Sequence, residues 1–169
     1  MPSSPHPVGH RTSSVSIGSS STLTEPGAVS SDPTPEVRTG RCECGHITYE
    51  VAGIPDDPHL CSCPHETRIS GGPAVLWVGF PKTTLAWTGP GGEPTWYVTW
   101  PTLHRGFCPR CGSHLASVDT DSDMIMVTGF SLDDHSGIDP VGHSFRKEAV
   151  PWMTVTLAPD PRAAQSASS

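Results

Sequence analysis

Six cysteines arranged as three close pairs, Cys42/Cys44, Cys61/Cys63 and Cys108/Cys111, are the residues of this chain best suited to chemistry. Cys108 and Cys111 lie in "FCPRCGSHL", a Cys-x-x-Cys followed by Gly. Such a turn aims two thiolates at one point, and the glycine permits the backbone conformation that turns amides toward the sulfurs. One such turn supplies half of a tetrahedral site. Cys42 and Cys44, in "GRCECGHITYE", are the natural partners, because two residues apart on extended chain put both side chains on one face. Four thiolates make a closed site, the pattern of a structural zinc, and metal binding of this kind is worth on the order of 10 kcal/mol. Disulfides are the competing reading of an even cysteine count. They are disfavoured by the strain of bridging thiols one or two residues apart and by a chain too long to need staples.

The third pair opens "CSCPHETRISGG". It reads as a metal clip with one ligand missing: a third cysteine three residues after Cys63 would complete it, and the chain has Glu66 there.

These residues need a scaffold, and the composition bounds it. The 169 residues suffice for one ordinary domain, and only 34% are apolar, unevenly spread. Residues 1–37 are rich in Ser, Pro, Thr and Gly without apolar periodicity, so they read as a disordered tail, as do residues 159–169. A compact domain is expected over 38–158. Ten Lys+Arg against seventeen Asp+Glu give a formal charge of −7, with no basic run to track phosphates, which argues against nucleic acid as a partner. The sequence carries neither the apolar core of a secretory leader nor the length of apolar chain that spans a bilayer, so no membrane is expected and cytoplasm is the expected location.

Within 38–158 the pattern is β. "HITYEV" alternates with period two, "AVLWVGF" (74–80) reads as a strand covered on both faces, and "TLAWTG" (84–89) and "TWYVTW" (95–100) read as a hairpin across "PGGEP". "HRGF", "HLASVD", "MIMVTGF", "HSFRKE" and "PWMTV" continue the series. No window of ten or more residues carries a helical stripe. The expectation is a mainly β domain of seven to nine short strands in two or three small sheets. Trp77, Trp87, Trp96, Trp100 and Trp152 read as packing, and His59, His104, His114 and His143 as surface or packing residues. The Asp119/Asp121/Asp123 run reads as a solvated turn.

In this order the motifs resemble the glutathione-dependent formaldehyde-activating enzyme (GFA) and centromere protein V family, which has an Mss4-like fold of small antiparallel sheets around a structural zinc. Gly40, Cys42, Cys44, Gly45 and Tyr49 match its opening; Cys61, Cys63, Ser70 and Gly71 match its second motif. Arg105, Phe107, Cys108, Cys111, Gly112, Ser113 and Leu115 match its third, and Ser131–Asp134, Pro140, His143, Pro151 and Trp152 its ending, with Phe130 inserted. The resemblance implies a carbon–sulfur lyase-type enzyme acting on the adduct of a small aldehyde or imine with a low-molecular-weight thiol such as glutathione. It implies a structural zinc at Cys42, Cys44, Cys108 and Cys111. It also implies a second, catalytic zinc at the loop of Cys61 and Cys63, whose third thiolate here is Glu66. Two thiolates and a carboxylate carry the charge of three thiolates, so Glu66 stands as the candidate third ligand and His65 as its rival. Arg68 or Arg105 would hold a substrate carboxylate, and Ser70 with Gly71–Gly72 would shape the pocket floor. The other reading of Glu66 is a loop carboxylate. The domain would then be a non-catalytic zinc scaffold that binds a protein or small molecule.

Overall fold

The computed structural model describes residues 36–161, and among these ten strands and one α-helix form the domain. In chain order the strands are β1 (Val37–Arg41), β2 (Thr48–Ala52), β3 (Asp56–Cys61), β4 (Val75–Pro81), β5 (Leu85–Trp87), β6 (Thr95–Val98), β7 (Leu103–Phe107), β8 (His114–Asp119), β9 (Met124–Thr128) and β10 (Gly142–Ser144). The helix, α1 (Pro64–Ser70), follows β3. Two sheets result. A three-stranded one runs β1-β2-β5, and a seven-stranded one runs β10-β3-β4-β9-β8-β7-β6, antiparallel throughout except where β10 lies parallel to β3.

The burial of each strand follows its pattern. In β2 the alternating Tyr49 and Val51 are buried between exposed or half-buried neighbours, and in β4 every residue from Val75 to Phe80 is buried, as a central strand covered on both faces requires. Tyr49 and Val51 from the small sheet, with Ile47 just before β2, pack with Val78, Phe80, Leu115, Ile125 and Val127 from the large one in a single core. Polar contacts close the same seam. The Tyr49 hydroxyl donates to Ser131 Oγ at 2.7 Å, Ser131 donates to the Thr128 carbonyl at 2.8 Å, and Gly40 makes an isolated bridge with Leu132.

Several expectations are corrected. The first strand begins at Val37, and residues 1–35 and 162–169, which make up most of the two expected tails, lie outside the described residues. The segments 84–89 and 95–100 do not form a hairpin: β5 pairs with β2 and β6 with β7, in different sheets. Alternation reports that a segment is a strand but not which partner it takes. "PWMTV" forms no strand, and Trp152 is largely exposed rather than packed, while Trp100 is part-exposed with one face against His65 and Arg105. Helix α1 was hidden by its seven-residue length, too short for a periodic stripe, although Pro64 at its first position and Gly71 in the left-handed conformation (φ 68°) after its end are ordinary helix boundaries.

Candidate metal centre and cleft

Cys42 and Cys44 do not lie on extended chain. They sit in a tight turn between β1 and β2, in which the Gly45 amide donates to the Cys42 carbonyl at 3.0 Å and the Ile47 amide to Cys42 Sγ at 3.2 Å. Gly45, at φ 69°, supplies the left-handed residue the turn demands. The turn after β7 repeats the device: the Gly112 amide donates to the Cys108 carbonyl at 2.9 Å, with Gly112 at φ 76°. The two turns face each other, and Ser113 ties them, accepting the Glu43 amide at 3.1 Å while its hydroxyl lies 3.2 Å from Cys111 Sγ.

All four sulfurs lie within 4.8 Å of one another, with Cys42 to Cys44 at 3.6 Å and Cys44 to Cys108 at 3.8 Å. Four ligands about 2.3 Å from a tetrahedral zinc stand about 3.8 Å apart, whereas a disulfide requires about 2.0 Å. The cluster therefore could hold one metal ion, and its donor set suits zinc. Its electrostatics agree. The Ser113 hydroxyl, aided by backbone amides, pulls the Cys111 thiol down to about 5. The Cys44 thiol, although favoured as thiolate by the His46 amide, is pushed up to about 11 by desolvation and the neighbouring sulfurs. A cation would displace that proton.

The second loop is built differently. Cys61 ends β3, and Cys63 caps α1, its sulfur 3.5 Å from the Glu66 amide. Glu66 is 1% exposed. Its Oε1 accepts from Arg105 Nε at 2.9 Å and from a second Arg105 nitrogen. Arg105, on β7 and 4% exposed, donates a further hydrogen bond to Thr99 Oγ1 at 3.0 Å and lies 5.4 Å from the Trp100 ring centre. On the other side, Glu66 Oε2 faces His114 Nδ1 at 3.8 Å, too long for a hydrogen bond, so Oε2 and both ring nitrogens are buried without a partner. Burial, with the charge of Arg105, pushes His114 down to about 4. Cys61 and Cys63 pack with Val75, Trp77 and Met126, and burial, opposed by the Cys63 amide, lifts the Cys61 thiol to about 11.

The other residues singled out from the sequence share α1 with Glu66 but not its burial. His65 is exposed, its ring 4.5 Å from that of Trp100, and Arg68 is exposed on the last turn of α1. The Ser70 hydroxyl donates to the Glu66 carbonyl at 2.7 Å and accepts the Gly72 amide at 3.1 Å, closing the helix. Among the described residues, the four-cysteine group alone gathers three or more ligand atoms within 4.8 Å. Cys61, Cys63, Glu66 and His65 are not so gathered and do not fit a metal as they stand. Missed from the sequence were Thr99 and His114, which complete the surroundings of Glu66, and the pairing of Ser62 Oγ with His143 Nε2 at 2.9 Å, which fastens β10 beside β3. Nothing local to "CSCPHETRISGG" signals Thr99, His114 or His143, since the fold brings them in from just after β6, from β8 and from β10.

A cleft of about 810 Å³ opens between the two cysteine turns and α1. Glu43, Ser113 and His114 form one wall, Ile69 and Ser70 another, and the segment from Phe130 to Asp133 a third.

Residues 37–148 match the model of the family described as glutathione-dependent formaldehyde-activating enzyme (GFA). The chain belongs to this family. No curated protein matches it. Among solved structures, a crystal structure of a Rhodobacter sphaeroides protein, determined as a structural-genomics target, aligns with a TM-score of 0.50 at 20% identity, covering 63% of this chain and 99% of that one. At that identity the likeness is one of fold. None of the helices among the described residues is long and apolar enough to cross a membrane. Cys42 and Glu43, Ser70, Cys111–Ser113 and Ser131–Asp133, scattered along the matched span, all line the one cleft.

Proposed function

We propose that this GFA-family chain is a zinc-stabilised lyase-type enzyme that makes or breaks the carbon–sulfur bond between a small thiol and an aldehyde or imine carbon in this cleft. The observation that carries the reading is the convergence of separate family motifs on one cavity beside the four-cysteine site. In the forward direction the thiol sulfur bonds to the carbonyl carbon, the carbonyl π pair moves to oxygen, and the thiol proton reaches that oxygen through solvent. The cavity contributes by holding the two reactants together. Leu60, Val75, Leu76 and Leu132 give it an apolar wall. Arg41, held at Nε by Asp133 Oδ1 at 3.0 Å, keeps its terminal nitrogens for a carboxylate on the thiol. Ser70 acts by closing α1, and no step runs through a second metal.

Exchange between free and adducted thiol, followed by NMR with glutathione and formaldehyde and then a panel of thiols and aldehydes, tests this. Acceleration over the protein-free rate is expected, with Arg41→Ala raising KM about tenfold or more for carboxylated thiols only. Unchanged exchange across the panel would reject it in favour of the scaffold reading. That second reading draws on one observation, the commitment of Glu66 to Arg105, and it predicts that thiol adducts perturb no cleft resonances.

A further inference from the structure

We infer that an internal ion pair, Glu66–Arg105, takes the place of the metal that the family resemblance puts at Cys61, Cys63 and residue 66, so that the chain binds a single metal ion, at Cys42, Cys44, Cys108 and Cys111.

A metal at the second loop needs three donors converging at about 2.0–2.3 Å from one point. The four-cysteine site already has that spacing in its protein atoms alone; the second loop does not. Glu66 explains the difference. A carboxylate on two methylene groups carries its oxygens well past the point where a cysteine sulfur would end, and here it spans from α1 to Arg105 on β7. Both nitrogens of the guanidinium edge reach the same oxygen, Oε1, while the third nitrogen is held by Thr99. The remaining oxygen, Oε2, looks toward His114.

Both charges are almost completely withdrawn from water, at 1% and 4% exposure. Each is therefore tolerable only because of the other: a buried carboxylate stripped of its guanidinium, or the reverse, is an uncompensated charge. The pair also does mechanically what a metal would do. It ties the helix after β3 to β7 at the far side of the large sheet, while Cys61 and Cys63 are left to pack with Val75, Trp77 and Met126 as small apolar side chains.

Metal content tests this without reference to activity, so a failed lyase assay would leave it standing, and its own failure would leave the lyase reading standing. The full chain, expressed with excess zinc and freed of loosely held metal, should carry one zinc per chain, and X-ray absorption at the zinc edge should require sulfur ligands only. The Cys61→Ser/Cys63→Ser double variant should keep that ratio. Two metals per chain, an oxygen or nitrogen ligand at the zinc, or loss of zinc from the double variant would each overturn the inference. For the pair itself, Glu66→Gln and Arg105→Gln should each lower the thermal midpoint by about 10 °C, and the two together by less than the sum. Strict additivity would mean that the two charges do not depend on each other. Should the single variants fail to fold, Glu66→Met/Arg105→Met, which removes both charges, should still fold and carry one zinc.

Discussion

His114 shows how far the behaviour of one residue here depends on neighbours distant in sequence. The same imidazole that follows the cysteine turn stands edge-on to Trp77, with ring centres 5.1 Å apart, and is held neutral by burial and by the positive charge of Arg105. Its folded-state value of about 4 lies below the ordinary 6.5. The unfolded chain therefore takes up a proton as pH falls through 6.5, and the folded one resists until about 4. In that window the unfolded state binds more protons, so stability must fall with falling pH, by up to about 3 kcal/mol at the lower end. Urea denaturation at pH 7.0, 5.5 and 4.5 should show this loss on top of the pH dependence of any thiolate-bound metal, and His114→Gln should make the loss smaller by up to about 3 kcal/mol. An equal slope in the variant would place its origin elsewhere. Glu66 makes the complementary point about what a sequence discloses. Its type and its place three residues after Cys63 were legible, and so was the question it raised about a ligand set. The answer lay in Arg105, thirty-nine positions along the chain, and in Thr99, neither of which any spacing rule connects to it. By contrast, Cys42, Cys44, Cys108 and Cys111 could be assembled from spacing alone, because paired thiols before a glycine carry their own local geometry.

At the scale of elements, β1 and β2 meet through a close approach of Gly40 and Tyr49. The two residues are register partners, and a Cβ added at Gly40 would stand 2.2 Å from Tyr49 Cζ. The ring cannot retreat, since it is 1% exposed and its hydroxyl is tied to Ser131 across the seam between the sheets. Gly40→Ala should therefore cost about 2–3 kcal/mol, measured by urea denaturation. Unchanged stability would mean that β1 can shift without disturbing the seam. Strand identity in this region was readable from period two. Pairing was not, and β5 illustrates why. Its three residues pair with β2, where Trp87 meets the Tyr49 ring edge-on at 5.6 Å. The chain running into "PGGEP" continues this pairing, the Thr88 amide donating to the Thr48 carbonyl at 2.9 Å and the Gly91 amide to the His46 carbonyl at 2.8 Å, instead of turning back toward β6. The extended chain expected at Cys42–Cys44 failed for a related reason: Gly45, in the left-handed region, folds that segment back on itself.

For the whole molecule, the question is what a metal held by the four cysteines would support. Its free energy of binding, on the order of 10 kcal/mol or more, is as large as the entire stability of a typical domain. If the metal held together two otherwise separate sheets, removing it would free the small sheet and leave the large one to melt by itself. The packing argues otherwise. Ile47, Tyr49 and Val51 share one core with Val78, Phe80, Leu115 and Val127, and the Tyr49–Ser131 and Gly40–Leu132 contacts cross the same seam without any metal. Loss of the metal should thus weaken both sheets together. Calorimetry of the chelated protein should show one cooperative transition at a much lower temperature than in the zinc-loaded form, with hydrogen exchange at Ile47, whose amide is bonded to Cys42 Sγ, rising in step with that at Val78 in β4. Two resolved transitions, with Val78 still protected after Ile47 has exchanged, would show instead that the zinc joins two independently stable pieces.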